Sequence, residues 1–325
     1  MVAAVVAGLA VGVPFGALMA RGGVCFNTGM RQAVFDRRPL ILRVFAVAVA
    51  AQLLVLPVVV ALGVPVSRIG LYPVAQVIGG LVFGCGIALA GGCIAGVLWK
   101  SGAGSIATAI AIAGFGVGEL VMRGPWSDVL REFDAAGPRP GTTTVHGALD
   151  LSYALAAVPL GIVGLVLLLR RDRSGARLGL ALGGLAVLAW VAADWADYGY
   201  GLGFVGTAEN VRDAFAAREW ARLSLEPFLA LGVVLGAACA MRGRLRLPDR
   251  ARAVRALGGG VLMGVGGNLA HGCNIGNGLT GVPLLSLGSM LATGAMALGA
   301  AATWRLAIRD HPRIAGSERP STDLS

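Results

Sequence analysis

Nine largely apolar stretches alternate with polar or glycine-rich connections along this chain. Each is about 20 residues long, enough to cross roughly 30 Å of hydrocarbon as a helix. They predict helices over 2–20, 40–62, 73–92, 104–122, 149–169, 177–196, 225–241, 254–270 and 285–307. The runs are continuous rather than alternating, which argues against a transmembrane barrel. Two connections have a different character. Residues 21–31 (Arg-Gly-Gly-Val-Cys-Phe-Asn-Thr-Gly-Met-Arg) and 199–210 (Gly-Tyr-Gly-Leu-Gly-Phe-Val-Gly-Thr-Ala-Glu-Asn) are too short and too polar to span. They read as re-entrant or broken helices, tolerable at membrane depth only where protein or a wet cavity surrounds them.

One stretch occurs twice without a gap. Residues 79–96 (GGLVFGCGIALAGGCIAG) align with 259–276 (GGVLMGVGGNLAHGCNIG), and the identical columns are six Gly, one Leu, one Ala and one Cys. A glycine framework and a thiol are retained while the apolar filler varies. The fold class expected is an all-α integral membrane protein with an inverted-topology internal repeat. Residues 1–147 form the first repeat (spans 1–4) with an outer loop, and 148–176 a linking fifth span. Residues 177–310 form the second, inverted repeat (spans 6–9), and 311–325 a disordered cytoplasmic tail. One odd span between the copies is what turns the second upside down, the plan of many secondary transporters.

Composition agrees: 56% of the 325 residues are hydrophobic, 14% are charged, and the mean hydropathy is +0.77. A soluble chain of this length needs more polar surface. The net charge of +10 would raise nucleic-acid binding on a soluble chain, but here the arginines sit between apolar runs and report orientation instead. Arg31, Arg37, Arg38, Arg43, Lys100, Arg170, Arg171, Arg173, Arg177, Arg242, Arg244, Arg246, Arg250, Arg252 and Arg255 all follow odd-numbered spans. The other connections carry fewer bases and many acids, among them Asp128, Glu132, Asp134, Glu209 and Asp213. The positive-inside rule then puts the N-terminus outside and the C-terminus in the cytoplasm. No signal-peptide cleavage pattern is evident, so the first run reads as the first span.

The candidate chemistry lies in the glycine-rich breaks. Cys25, Cys93 and Cys273 occupy them, with Gly92 and Gly272 preceding two of the thiols and Asn27 and Asn274 beside two. Glycine lets the backbone leave the helix and exposes amide donors. Free cysteine is also a common packing residue, but packing alone does not require Gly, His and Asn around it. Cys85, replaced by Val265 in the second copy, and Cys239 read as packing residues. His271 is placed to steer its neighbouring thiol or to donate to an anion; the bland alternative is a polar mouth residue. Asp194, Asp197, Glu119 and Glu226 lie near span ends, which disfavours them as a proton relay. No Cys-X-X-Cys or His-X-X-X-His spacing supports a zinc site, and no cofactor is expected. Gly96-Val97-Leu98-Trp99-Lys100-Ser101 ends like a phosphate loop but has Trp99 where that loop needs Gly, so ATP hydrolysis is not expected.

The segments Arg-Gly-Gly-Val-Cys-Phe (21–26), Gly-Gly-Cys-Ile-Ala-Gly (91–96) and His-Gly-Cys-Asn-Ile-Gly (271–276) resemble the three cysteine motifs of the YeeE/YedE sulfur-transport family. The resemblance covers nearly the whole chain. It implies nine spanning and about four short helices related by pseudo-two-fold symmetry, and a transporter rather than an enzyme. The implied activity is thiosulfate uptake across the bacterial inner membrane. Cys25, Cys93 and Cys273 match the family's functional cysteines one by one, and the resemblance implies that they pass the ion along a narrow central path. Members often work beside a small cytoplasmic sulfur-carrier protein; the other expected partners are thiosulfate and the lipid bilayer. Two alternatives remain at this point: transport of another sulfur or selenium species, and, in a different class, a membrane thiol–disulfide redox protein.

Overall fold

The computed structural model describes residues 1–36, 39–137, 142–171, 173–241 and 243–308. The tail expected over 311–325 lies outside the described residues. In chain order the helices are α1 (Val2–Arg21), α2 (Phe26–Arg31), α3 (Leu40–Ala61), α4 (Pro73–Ala90), α5 (Ile94–Gly102), α6 (Ile106–Arg123) and α7 (Ser127–Ala135). They continue as α8 (Val145–Ala148), α9 (Tyr153–Arg171), α10 (Ala176–Trp195), α11 (Thr207–Ala217), α12 (Leu225–Ala240), α13 (Arg250–Leu269) and α14 (Leu287–Thr303). A π-helical segment, Gly276–Gly281, lies between α13 and α14.

Among the described residues, nine long helices fall on the nine predicted runs. Seven of the described helical stretches are long and apolar enough to cross a membrane, and the 16-residue α12 is a shorter apolar helix. The chain is therefore an all-α, multi-pass membrane protein. Local chemistry sets several boundaries. Asp249 caps α13 by accepting from the Arg252 amide at 2.7 Å, so that helix begins earlier than hydropathy indicates. Gly91, at φ 75°, ends α4 in a left-handed cap that a side chain would strain. Asp150, at φ 52°, holds the turn that delays α9 to Tyr153.

The same order occurs twice: long, short, long, long, short, long. It runs from α1 to α6 and again from α10 through the π-helical segment to α14. The contacts repeat as well. α1 packs on α12 as α10 packs on α3, and α6 packs on α13 as α14 packs on α4. The repeated glycines build these seams. A Cβ on Gly79 would come within 2.5 Å of the Ala270 amide, and one on Gly86 within 2.6 Å of the Gly259 carbonyl. Their repeat partners Gly259 and Gly266 press back onto Ala90 and Phe83. Gly80 and Gly84 meet α14, while Gly260 and Gly264 meet α6. Inside a bilayer such small-residue seams bring backbones together where no hydrophobic force drives helices onto one another. α9 stands apart: it packs on α3, and most of its surface is exposed.

Two features of the region between α6 and α9 were not predicted. Trp126, Val129, Leu130 and Phe133 follow a helical period across α7, and Thr144 caps the short α8 by accepting from the Gly147 amide at 3.2 Å.

Candidate functional site: three buried thiols at helix breaks

Cys25, Cys93 and Cys273 share one local structure. Each follows a tight turn, and each stands immediately before a short helical stretch. Gly23 (φ 58°) makes the first turn, Gly91 the second and His271 (φ 54°) the third. Cys25 (φ −152°, ψ 132°) and Cys93 (φ −71°, ψ 173°) are extended residues that cap α2 and α5. A residue in this position has its side chain beside the first free amides of the helix that follows.

Backbone donors therefore surround each sulfur. The Gly276 amide donates to Cys273 Sγ at 3.3 Å. Amides of Ile275 and Phe204 also face that sulfur. Those of Cys93 and Thr28 face Cys25, and those of Phe26 and Gly96 face Cys93. All three thiols are wholly buried, and none is in a disulfide. They belong to one continuous apolar core.

Cys25 and Cys93 are brought together, with their sulfurs 3.8 Å apart. Gly96 permits this: a Cβ there would overlap the Cys25 sulfur and lie 3.4 Å from that of Cys93. Two indoles fix the surroundings. Trp99 Nε1 donates to the Val24 carbonyl at 3.0 Å, and Trp304 Nε1 donates to Asn27 Oδ1 at 2.9 Å. Lys100 donates to the Gly91 carbonyl at 2.6 Å, and its charge reaches the Cys25 thiol.

The other predicted residues divide. Asn27 and Asn274 are buried beside their thiols; Asn27 Nδ2 and both polar atoms of the Asn274 amide lack a hydrogen-bond partner. Gly92 is buried, and a Cβ there would press on Val97 at 3.2 Å. A Cβ on Gly272 would lie 2.8 Å from Asn277 Nδ2. His271 sits differently. Its Nε2 lies 2.8 Å from Asp134 Oδ1 on α7, and its ring stacks on Tyr72 with centroids 4.4 Å apart. Through Nε2 it joins α7 to the break. Cys85 Sγ contacts the Gly299 carbonyl at 3.9 Å, whereas Cys239 is exposed near the end of α12.

Sequence reasoning passed over Tyr200, and it considered Glu119 and Glu226 only as a proton relay. Tyr200 donates to the Gly276 carbonyl at 2.6 Å, and its ring lies against Gly276. Glu119 is wholly buried and accepts from the amides of Gly206 and Ala208, the latter at 2.9 Å, so it caps α11 from a neighbouring helix. Glu226, also buried, is hydrogen-bonded to Tyr198 and lies close to Gly206. Their positions near span ends hid this burial. The one available signal was that both carboxylates stand within apolar runs, where an ionisable group needs a reason. Asn210 is structural: it accepts from the Ser224 amide at 2.9 Å and donates to the Arg222 carbonyl at 3.1 Å. Glu209 pairs with Arg123 at 3.5 Å. Among the described residues no group of three or more His, Cys, Asp or Glu is placed to hold a metal ion.

The three cysteine breaks and the helices carrying them all fall within residues 21–302, and those residues match the family model described as sulphur transport. The chain belongs to the sulphur transport family. It is 32% identical to the thiosulfate transporter TsuA of Spirochaeta thermophila (strain ATCC 700085 / DSM 6578 / Z-1203), over 92% of this chain and 97% of that protein. It is 27% identical to the thiosulfate transporter TsuA of Escherichia coli (strain K12), over 95% of this chain and 96% of that protein. The family match begins at Arg21, the residue that opens the first thiol break, and ends within α14, so it takes in both copies of the glycine stretch, 79–96 and 259–276.

Proposed function

We propose that this chain carries thiosulfate inward across the bacterial inner membrane along a path lined by Cys25, Cys93 and Cys273. The observation that carries the reading is the threefold recurrence of one device: a buried thiol at a helix break, ringed by backbone amides. Removing a dianion from water is costly. Amide donors offset part of that cost without fixing a full positive charge beside the ion. Passage then requires weak sites in sequence rather than one tight one. Thiols donate weakly to a soft sulfur acceptor, which favours thiosulfate over sulfate.

The repeated element order supports two oppositely oriented halves, residues 1–147 and 177–310, joined by the span within 148–176. In this arrangement Cys93 enters from the cytoplasmic side and Cys273 from the outer side. The arginine distribution supports an external N-terminus and a cytoplasmic C-terminus. A small cytoplasmic sulfur-carrier protein is the expected recipient at the inner mouth.

The test is growth of a sulfate-uptake-deficient bacterium on thiosulfate as sole sulfur source. Cys93→Ala or Cys273→Ala is expected to abolish growth while membrane protein level is kept. Normal growth with either variant rules out a role for that thiol. Uptake competition against other sulfur and selenium oxyanions separates the substrates within this class. The 3.8 Å approach of Cys25 to Cys93 favours one reading of another class, thiol–disulfide exchange. Thiol trapping during turnover decides it: the transport reading expects both thiols to remain reduced, and cycling between thiol and disulfide supports exchange.

A further inference from the structure

Polar atoms without partners are unevenly distributed in this core. Beside the Cys25–Cys93 pair the unpartnered side-chain atoms are Asn27 Nδ2 and, farther along, Arg31 Nε. Among the described residues, those on or against the stretch 274–281 include six: Asn274 Oδ1 and Nδ2, Asn277 Oδ1, Gln52 Oε1, Ser289 Oγ and Thr293 Oγ1. Asn274 and Asn277 belong to the stretch itself. Gln52 is tied to it through Nε2, which donates to the Leu279 carbonyl at 2.9 Å. Thr293 Oγ1 lies 3.6 Å from where a Cβ on Gly278 would sit, and a Cβ on Gly281 would overlap Ser289 Oγ. Asn274 is 2% exposed, and Asn277, Gln52 and Ser289 are wholly buried.

Native folds rarely bury polar atoms without a partner, and water or a ligand ordinarily supplies one. The chemistry of the six atoms limits what that partner is. Three are carbonyl-type oxygens, which repel an anion and require a donor. The Asn274 amide nitrogen and the two hydroxyls are able to donate to an anion. Water satisfies the first group, and an oxyanion satisfies the second. The backbone is suited to both, because a π-helical turn is wider than an α-helical one, and Gly276, Gly278 and Gly281 place no side chains on it.

We propose that residues 274–281, with Gln52, Ser289 and Thr293, form a hydrated station for the oxygen end of a tetrahedral sulfur oxyanion. Asn274 Nδ2, Ser289 Oγ and Thr293 Oγ1 donate to the oxygens, and ordered water links Gln52 Oε1 and Asn277 Oδ1. Cys273, at the head of the stretch, meets the sulfur end. The ion is thus held at both ends here, whereas the Cys25–Cys93 pair engages sulfur. This inference rests on the thiosulfate reading above.

The test uses full-length protein with Ser289→Ala and, as an isosteric second variant, Thr293→Val. Initial uptake of labelled thiosulfate into proteoliposomes is measured against concentration. Melting temperature in detergent is measured with and without thiosulfate. The station predicts an apparent KM raised about tenfold for each lost donor, a maximal rate within about twofold of the wild type, and a smaller thiosulfate-induced rise in melting temperature. A hydroxyl already satisfied by water or substrate also yields no gain in basal melting temperature when removed. A variant that melts higher than the wild type with unchanged KM shows a dry, unused hydroxyl and overturns the proposal. If the wild type shows no thiosulfate uptake, the functional reading fails first. Wild-type uptake with unchanged variants overturns the station alone.

Discussion

Across Gly96 a thiol faces a thiol; across Gly276, its partner in the repeat, a thiol shares its surroundings with a phenol. Cys25 approaches Cys93 to 3.8 Å over the first glycine. At the second, the ring of Tyr200 lies 3.7 Å and the Cys273 sulfur 3.8 Å from where a Cβ would be. The two glycine frameworks are the same, so the difference lies in what the facing break brings to them. The first break, residues 21–31, delivers a cysteine. The second, residues 199–210, delivers a tyrosine, and two buried carboxylates support it. A repeated scaffold has become a narrow thiol contact on one side and a more polar thiol site on the other.

The largest expected effect breaks this comparison directly. In Gly96→Ala the new methyl group must displace the Cys25 sulfur, which breaks its 3.8 Å approach to Cys93. Gly276→Ala meets only ordinary van der Waals contacts. Gly96→Ala is therefore expected to lose most of its initial uptake rate, whereas Gly276→Ala keeps most of its own. Equal losses would show that the two glycines do the same work.

Glu119→Ala probes the support of the second break. It strips the partner from the Gly206 and Ala208 amides at the start of α11. Leaving buried donors unpaired costs about 1–3 kcal/mol each, so a clear fall in melting temperature is expected. An unchanged melting temperature would mean that water replaces the carboxylate.

Asp134→Asn removes the charged partner of His271 at a position about a quarter exposed. The expected loss is at most about 1 kcal/mol, read as a small shift in melting temperature with uptake retained. Abolished uptake would place His271 and Asp134 on the path itself. Smallest of all is Cys239→Ser, on the exposed end of α12. It is expected to change stability by less than about 0.5 kcal/mol and to leave uptake intact; a lost rate would assign a role to a fourth thiol.

The spans and the repeat were legible because bilayer physics writes them as long apolar runs and evenly placed glycines. The thiol breaks were legible for the same reason: Gly91-Gly92-Cys93 and His271-Gly272-Cys273 interrupt apolar runs with residues that cannot be there for burial alone. The 3.8 Å meeting of Cys25 with Cys93 was not legible, because it depends on how α1 and α5 cross, which local sequence does not encode. The burial of Glu119 and Glu226 was not legible for a related reason. Nearness to a span end predicts contact with water, but the second break folds back over those ends and buries both carboxylates. His271 looked like a neighbour of Cys273 in sequence, yet its left-handed backbone turns the ring toward α7.

Initial uptake of labelled thiosulfate into proteoliposomes containing Cys25→Ser, Cys93→Ser or Cys273→Ser, each inserted at wild-type level, tests the three-thiol path most directly. A hydroxyl is smaller than a thiol and a stronger, harder donor, so it replaces a weak soft site with one that favours oxygen and breaks the sequence of weak sites that passage needs. Each single variant is expected to fall to the rate of empty vesicles. Wild-type uptake by any one of them would remove that residue from the path and contradict the account.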